Sequence, residues 1–238
     1  MNKHLIAIPV LALVSACTTA PQLAREPHPD AGAMNWKPLF AQDLSDADCE
    51  PGTWGYTKEG ALTPFKDLPI WTKADYENYV LDFEYKMQPG GNSGAFIYVS
   101  HLDNLPPNKV VKYKIEVQLL DDYSANHKDE LPYQWSGSLY GRAPALGIVS
   151  KPAGQWNRMT ITCRGKSVRV VHNGFVVIDS NLDDWKDPLV NPDGTPVPSW
   201  HRGFPALSTI PTKGRVGFQG RHENTGVELR NLRIAPCL

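Results

Sequence analysis

The sequence predicts an all-β protein, a jelly-roll β-sandwich of two antiparallel sheets. Three observations support this fold class. Segments of alternating apolar and polar residues recur along the chain, 21 prolines and 19 glycines interrupt any helical run, and no window carries a long helical apolar face. Short strands that follow one another without helices between them are typical of a sandwich.

Each strand is predicted from its own pattern. Residues 79–87 place four large apolar side chains on one face and three charged side chains on the other. The plainest hairpin joins residues 167–172 to 175–178 through Asn173-Gly174, a pair that favours a tight two-residue turn. Comparable patterns predict further strands over residues 95–99, 113–119, 159–163, 214–219 and 226–234.

The first residues predict a lipoprotein. The apolar run over residues 5–14 is too short to cross a bilayer as a helix. It ends in Val14-Ser15-Ala16-Cys17, a pattern at which a lipoprotein precursor is cut and the cysteine acylated. We therefore expect residues 1–16 to be a lipoprotein signal peptide and Cys17 to be lipidated. The alternative is an ordinary signal peptide, cut after Ala16 or Ala20.

The residues after Cys17 predict where the protein resides and how it is held. Thr18, rather than aspartate, follows the cysteine, so the inner-membrane retention signal is absent. We expect a protein of the cell envelope, anchored in the lipid bilayer through Cys17 at the periplasmic face of the outer membrane. Residues 17–34 hold few large apolar side chains and are predicted to form a flexible tether. Residues 35–238 form the predicted β-sandwich domain.

Charge and cysteine content narrow the range of partners and cofactors. A net charge of -1 gives no indication of nucleic-acid binding. Besides Cys17 the chain contains Cys49, Cys163 and Cys237, an odd number in an oxidising compartment. We expect one disulfide, with Cys49–Cys237 favoured because sandwiches often bring their terminal strands together, and one buried thiol. No cysteine or histidine cluster predicts a zinc site, and no organic cofactor is expected.

A series of seven motifs runs in order along the domain. They are Trp71-Thr72, 91–96 (GNSGAF), 115–121 (IEVQLLD), 136–141 (SGSLYG), 151–157 (KPAGQWN), Asn173-Gly174, and 214–219 (GRVGFQ) followed by His222 and 230–234 (RNLRI). The series resembles the 3-keto-disaccharide hydrolase family over nearly the whole domain.

This resemblance implies a concanavalin A-like jelly-roll fold and an enzyme that acts on glycosides already oxidised to a ketone at C3. The implied chemistry is elimination across C1 and C2, which releases the aglycone, followed by hydration of the glucal. The net result is hydrolysis of the glycosidic bond. An oligosaccharide or glycoside substrate is the expected partner.

Such a reaction needs a base near C2, a hydrogen-bond donor at the C3 oxygen and an acid near the glycosidic oxygen. The resemblance implies Glu116 as the base and His222 as the second catalytic residue. Alternation alone would equally allow Glu116 to face solvent, and a lone histidine in a turn is more often a surface residue. Both residues are also candidates for holding a divalent metal cation, with oxygens from Asn92 or Gln118.

The predicted substrate-binding residues come mainly from two neighbouring strands. Lys114, Glu116 and Gln118 share one strand face, and Asn92 and Tyr98 are predicted on the same face of the adjacent strand. Asn92 and Lys151 would also suit turns. The predicted set is Asn92, Tyr98, Lys114, Gln118, Asp121, Tyr140, Lys151 and Gln219.

The order Glu116, Gln118, Asp121 is similar to the Glu-x-Asp-x-x-Glu strand of laminarinase-type glycosidases. Here glutamine replaces the middle acid and aspartate the second glutamate. A retaining displacement needs two carboxylates at a matched separation, so the replacements favour elimination. Family members commonly carry arginine where Tyr98 stands, which leaves the group that stabilises the C3 oxyanion open.

Two long loops, residues 120–148 and 180–213, are rich in aromatic residues, and loops of this length are often functional. Trp135, Trp185 and Trp200 could stack on sugar rings or cap the edges of the core. The alternative function is a non-catalytic carbohydrate-binding module at the outer membrane, which would need aromatic platforms and amides but no base. A role in adhesion or a purely structural role is the remaining alternative.

Overall fold

The computed structural model describes residues 23–100, 111, 113–222 and 225–237. Within these ranges it contains thirteen β-strands and five short 3-10 helices. The strands are β1 Lys37–Pro38, β2 Ala47–Asp48, β3 Trp54–Tyr56, β4 Leu62–Pro64, β5 Ile70–Thr72, β6 Tyr79–Met87, β7 Asn92–Val99, β8 Ile115–Leu120, β9 Asn157–Arg164, β10 Ser167–His172, β11 Phe175–Asn181, β12 Arg215–Phe218 and β13 Val227–Pro236.

The strands form two antiparallel sheets, which confirms the predicted fold class. The larger sheet has eight strands in the order β11-β10-β9-β6-β13-β4-β3, with β1 paired to β13. The smaller sheet has five strands in the order β2-β5-β12-β7-β8. One large cluster of buried apolar side chains fills the space between them. The sandwich follows from alternation, because every second side chain of a strand can enter this core.

Two of the strongest sequence signals are confirmed in detail. In β6, Leu81, Phe83 and Tyr85 are fully buried in the core. The hairpin between β10 and β11 turns at Asn173 and Gly174, whose φ angles are 49° and 82°. Both positive values match the type of turn that Asn-Gly favours.

The predicted position of Tyr98 on the same face as Asn92 is wrong. The pairing between β7 and β12 shifts by one residue, and Tyr98 takes a φ of 52° at this irregularity. A bulge of this kind reverses the direction of the side chains beyond it. The Tyr98 ring is therefore fully buried between the sheets, where its hydroxyl donates to the Gly165 carbonyl at 2.6 Å.

The described part of the predicted tether, residues 23–34, is not free of the domain. The Val176 amide donates to the Ala24 carbonyl at 2.9 Å, and the Glu26 amide donates to the Gly174 carbonyl at 3.0 Å. His28 contacts the Thr160 hydroxyl at 2.8 Å. We call residues 23–30 the strap. The polar composition of these residues predicted a flexible segment, whereas the structure shows them hydrogen-bonded to the β10–β11 hairpin.

The predicted Cys49–Cys237 disulfide is also absent, since the thiols of Cys49, Cys163 and Cys237 are all unpaired. Cys49 follows β2 at the edge of the five-stranded sheet, whereas Cys237 follows β13 inside the eight-stranded sheet. The two cysteines thus belong to different layers. Cys163 is fully buried, as predicted for a core thiol.

The predicted signal peptide and Cys17 lie outside the described residues. Within the described ranges, no helix combines the length and apolar character required to span a bilayer.

The two long loops carry all five 3-10 helices that are described. They are Ala125–His127 and Pro132–Gln134 in the first loop, and Leu182–Asp184, Ser199–His201 and Leu207–Thr209 in the second.

Candidate functional site

The outer face of the five-stranded sheet carries most of the predicted polar residues. Ile115, Val117 and Leu119 of β8 enter the core, so Glu116 and Gln118 point away from it. In the register between β7 and β8, Phe96 lies opposite Glu116, Gly94 opposite Gln118, and Asn92 opposite Leu120. Strand alternation thus brings Glu116, Gln118 and Asn92 onto one surface, as predicted.

Glu116 lies across a glycine of the neighbouring strand. A Cβ atom built on Gly94 would come within 2.3 Å of Glu116 Oε1. Any larger residue at position 94 would therefore displace the carboxylate. The same arrangement recurs one strand further, where a Cβ on Gly217 would come within 2.3 Å of the Trp71 ring. Two glycines thus let Glu116 and Trp71 lie flat on the sheet.

The Glu116 carboxyl is largely withdrawn from water. Its side chain is 15% exposed, and burial raises its pKa above the usual value, although Lys114 and His222 act in the opposite direction. The Lys114 Nζ atom lies 3.9 Å from Glu116 Oε2 and 3.6 Å from the centre of the Phe96 ring. Burial lowers the pKa of Lys114. A carboxylate with a raised pKa is a stronger base than an exposed one.

A cavity of about 160 Å³ opens beside Glu116. Side chains from β8 and from both long loops line it, so three separate parts of the chain meet here. The polar lining residues are Lys114, Glu116, Tyr140, Arg142 and His201, and the remaining residues are apolar. The Tyr140 amide donates to the Glu116 carbonyl at 2.9 Å, which fixes the first loop against β8.

Arg142 and His201 are lining residues that the sequence did not predict. Arg142 is 4% exposed and donates to the carbonyls of Pro188 and Pro205, at 3.3 and 3.2 Å. The His201 ring stacks on Phe204 and meets the Tyr140 ring edge-on. Burial lowers the pKa of His201 to about 4, so its imidazole is neutral at pH 7. Both residues belong to the two long aromatic loops, and the length and composition of these loops were the sequence features that could have pointed to them.

Two amide side chains, those of Gln118 and Asn92, share the sheet face of Glu116. The Gln118 Nε2 atom donates to Asn92 Oδ1 over a long 3.5 Å, while Gln118 itself is 2% exposed. The Gln219 backbone amide donates to the Gly94 carbonyl at 2.8 Å. Among the residues described, the Oε1 atoms of Gln118 and Gln219 are buried without a hydrogen-bond partner. Unpartnered buried oxygens are costly, but neither glutamine lines the cavity beside Glu116.

His222 follows β12 at the edge of this surface. Its Nδ1 atom lies 3.4 Å from Asp67 Oδ2, and its side chain is 41% exposed. Its charge acts on the pKa of Glu116, so the two residues lie within electrostatic reach of each other. His222 does not line the cavity beside Glu116, so its role as the second catalytic residue stays a prediction.

Asp121 and Lys151 do not line the cavity. Asp121 accepts a hydrogen bond from the Gly90 amide at 2.9 Å and holds the turn before β7. It lies five residues from Glu116, about 16 Å at the rise of a strand. Lys151 donates to the Trp156 carbonyl at 2.9 Å in the turn that precedes β9, in the other sheet. Together with Tyr98 in the core, these two predicted binding residues are placed in structural positions.

The three loop tryptophans differ in their surroundings. Trp185 is 7% exposed and donates to the Arg142 carbonyl, so it caps the core. Trp135 is partly buried against the core, and its indole donates to the Glu130 carbonyl. Trp200 is 52% exposed and lies 6.4 Å from the Tyr140 ring, measured between ring centres. Trp200 therefore remains the candidate for stacking on a sugar.

A metal site is not evident in the part of the chain that is described. No group of three or more His, Cys, Asp and Glu side chains is placed to share an ion there, and the cation next to Glu116 is the Lys114 ammonium. The residues present do not fit a closed metal site. A divalent cation held by Glu116 and His222 stays a prediction, and no step of the reaction is assigned to it.

A larger cavity of about 490 Å³ lies on the eight-stranded sheet, beneath the strap. Its most buried charged residue, Asp82, is already paired. Asp82 accepts hydrogen bonds from Arg158 and Arg233, and both arginines also donate to the Pro29 carbonyl. Because two arginines already satisfy Asp82, this carboxylate is less suited to act as a base than Glu116.

Comparisons with known proteins agree with the resemblance. The model of a family described as 3-keto-alpha-glucoside-1,2-lyase-like domains matches residues 35–235. A 3-keto-disaccharide hydrolase of Bacteroides thetaiotaomicron is 28% identical over an alignment of 174 positions, which covers 67% of this chain and 58% of that protein. The chain thus spans less than two thirds of the length of this curated relative.

Solved structures show the same architecture. A candidate glycosyl hydrolase of Parabacteroides distasonis is 36% identical, with a TM-score of 0.76 over 84% of this chain and 98% of that chain. A Bacillus subtilis protein described as having a galectin-like fold has a TM-score of 0.55 at 14% identity, over 84% of this chain and 94% of that chain. The second likeness concerns the fold alone.

Proposed function

We propose that this chain, which belongs to the family of 3-keto-alpha-glucoside-1,2-lyase-like domains, cleaves glycosides that carry a ketone at C3. Family membership supports an enzyme of the glycoside hydrolase type. The finer proposal concerns the reaction: elimination across C1 and C2, followed by addition of water, with hydrolysis as the net result.

The observation that carries this proposal is a single, largely buried carboxylate beside a buried ammonium group in a small cavity. A retaining or inverting glycosidase uses two carboxylates that flank the bond. Among the described residues lining the cavity, Glu116 is the only carboxylate. Asp121, the residue that occupies the place of the second glutamate in laminarinase-type enzymes, is held at a distant turn. One base next to one cation suits the removal of an acidic C–H proton.

The proposed steps follow from this arrangement. Glu116 takes the proton from C2, and the electron pair of that C–H bond passes to the C3 oxygen, where the Lys114 ammonium stabilises the charge. The C1–oxygen bond then breaks as the C1–C2 double bond forms, and His222 supplies the proton to the leaving oxygen. Water adds its oxygen to C1 and a proton to C2. The half-buried Asn92, on the same sheet face as Glu116, offers its amide to sugar hydroxyls.

The replacement Glu116→Gln tests the assignment of the base. Glutamine keeps the shape of the side chain but accepts no proton at neutral pH, so we expect kcat on a 3-keto-glycoside to fall by about a thousandfold, within the range for general bases. Substrate affinity, measured by calorimetry, should change by only about a few fold.

Glu228→Gln is the matched control. Glu228 lies in β13 and pairs with Lys86 at 2.9 Å, away from the cavity. It should keep wild-type activity. Full activity of Glu116→Gln would show that the base is another residue. If the wild-type protein bound 3-keto-glycosides but cleaved none of them, the result would favour a non-catalytic carbohydrate-binding module.

A further inference from the structure

The cavity beside Glu116 holds one positive charge more than the proposed reaction uses. Lys114 and Arg142 are cations, Glu116 is an anion, and His201 is neutral because burial lowers its pKa to about 4. The lining therefore carries a net charge of about one positive unit when Glu116 is ionised.

Arg142 is the unbalanced cation. No carboxylate of the described residues lies within 4.0 Å of its guanidinium, and its two hydrogen bonds go to the neutral carbonyls of Pro188 and Pro205. A guanidinium has five N–H donors, so three remain after these two bonds. Burying an arginine at 4% exposure without an anion is costly. The expected compensation is a ligand.

The reaction itself does not supply this anion. When Glu116 takes the C2 proton, the negative charge moves from the carboxylate to the C3 oxygen, and the total charge in the cavity stays the same. Lys114, next to Glu116, balances that charge before and after the transfer. Arg142 stays uncompensated at both stages.

We propose that Arg142 binds a permanent negative charge on the substrate, a carboxylate carried by the sugar or by its leaving group. The flat carboxylate matches the planar guanidinium, which can donate two parallel hydrogen bonds to it. This inference rests on the proposed function and adds a substrate class, namely acidic 3-keto-glycosides.

Two pairs of substrates test the proposal on the full-length chain. In the first pair the oxidised sugar derives from glucose or from glucuronic acid, with the same leaving group. In the second pair the leaving group is phenol or carboxyphenol on the same neutral sugar. We expect one acidic substrate to have a kcat/KM at least about tenfold above its neutral partner, since a charged hydrogen bond supplies that much. The pair in which the acidic substrate is preferred shows whether Arg142 binds a carboxylate on the sugar or on the leaving group.

Arg142→Met should lower this acidic-to-neutral ratio by about tenfold or more. Lys166→Met is the matched control, because Lys166 also holds the second long loop through two carbonyls, those of Ser208 and Ile210, but does not line the cavity. It should leave the ratio unchanged. If Lys166→Met lowered the ratio equally, the effect of Arg142 would be structural and the proposal wrong.

Binding gives a readout that does not depend on turnover. Unoxidised glucuronides and glucosides carry the same groups, and calorimetry on the wild type should show the acidic compound bound at least about tenfold more tightly, less so with added NaCl. Equal affinities, together with equal kcat/KM values in both substrate pairs, would overturn the proposal. Failure to cleave any ketone while the acidic preference in binding persists would contradict only the proposed reaction.

Discussion

The position of Glu116 depends on the residue beneath it. Gly94 has no side chain, and a Cβ atom there would lie 2.3 Å from Glu116 Oε1 and 2.8 Å from its Cγ atom. The Glu116 side chain from Cγ outward must move to relieve this contact, whereas none of the three nearest atoms belongs to the backbone, so the fold can tolerate the change while the carboxylate cannot keep its place.

Gly94→Ala should therefore lower kcat/KM by about a hundredfold or more, because a misplaced base loses most of its effect. The free energy of unfolding, measured in urea, should change by less than about 1.5 kcal/mol. Gly32→Ala, at a position where a Cβ would have nothing within 4 Å, is the control and should behave as wild type. Unchanged activity of Gly94→Ala would mean that the carboxylate position is not important for turnover.

At this scale the sequence predicted the residues that alternation governs and missed those that depend on the fold. Glu116, Gln118 and Asn92 share a face because their strands are regular. Tyr98 departs from the pattern because the chain takes a positive φ there, which no neighbouring glycine announces. Arg142 and His201 come from loops whose conformation depends on distant contacts, so no local spacing identifies them.

Among the elements, the strap depends on one buried carboxylate. Asp82 of β6 has a side chain that is 3% exposed, although alternation places it on the outer face of its strand. It accepts hydrogen bonds from Arg158 of β9, Arg233 of β13 and the Thr160 hydroxyl. The two arginines also hold the Pro29 carbonyl of the strap.

We expect Asp82→Ala to destabilise the protein by about 3–5 kcal/mol, since it leaves two arginines without their carboxylate. Asp179→Ala is the control. Asp179 also pairs with an arginine, Arg169, but is 65% exposed, so its loss should cost less than about 1 kcal/mol. Urea denaturation measures both. A loss of similar size in the two variants would contradict the role given to burial.

The strap also shows why composition misleads. Its polar and proline-rich sequence cannot form a core of its own, which is why it is predicted to be flexible. It is held instead by backbone hydrogen bonds to the β10–β11 hairpin and by side-chain contacts to Arg169 and Thr160. The edge of a sheet offers such bonds to any extended chain, whatever its side chains.

For the whole molecule, the ordered strap limits how the protein can be held at a membrane. We propose that Cys17 is lipidated, as the sequence predicts. Leu23, six residues later, packs against Gly147. Six residues span about 20 Å at most, so the sandwich would lie close to the bilayer surface rather than at the end of a long tether.

Cys17→Ala tests this anchoring. The variant should be released from membranes or remain an uncut precursor, as seen by fractionation and by mass spectrometry of the protein. Cys49→Ala is the control, because Cys49 lies within the sandwich, and it should fractionate with membranes. A Cys17→Ala protein of unchanged location and mass would show that the anchor is elsewhere or absent.

The overall architecture could be predicted from the sequence more fully than the individual elements or the site residues. Alternation and turn residues specify strands locally. The thirteen strands of the described residues, with only short helices among them, can bury their apolar faces only in a sandwich or barrel. Which distant strands pair with each other is harder to predict from the sequence, as the wrong Cys49–Cys237 prediction shows. Both cysteines are near the ends of the domain, yet the ends enter different sheets.

The central claim is that this protein cleaves 3-keto-glycosides by first removing the proton at C2. The most direct measurement is turnover in deuterated water of a 3-keto-glycoside and of the same glycoside without the ketone, with the released sugar followed by NMR at early times. We predict that each sugar released from the 3-keto-glycoside carries one deuterium at C2. This deuterium content should exceed that of the free 3-keto sugar kept in the same deuterated water as a control. The unoxidised glycoside should not be cleaved. Equal cleavage of both compounds, or release of a sugar that keeps its original C2 proton, would contradict the claim.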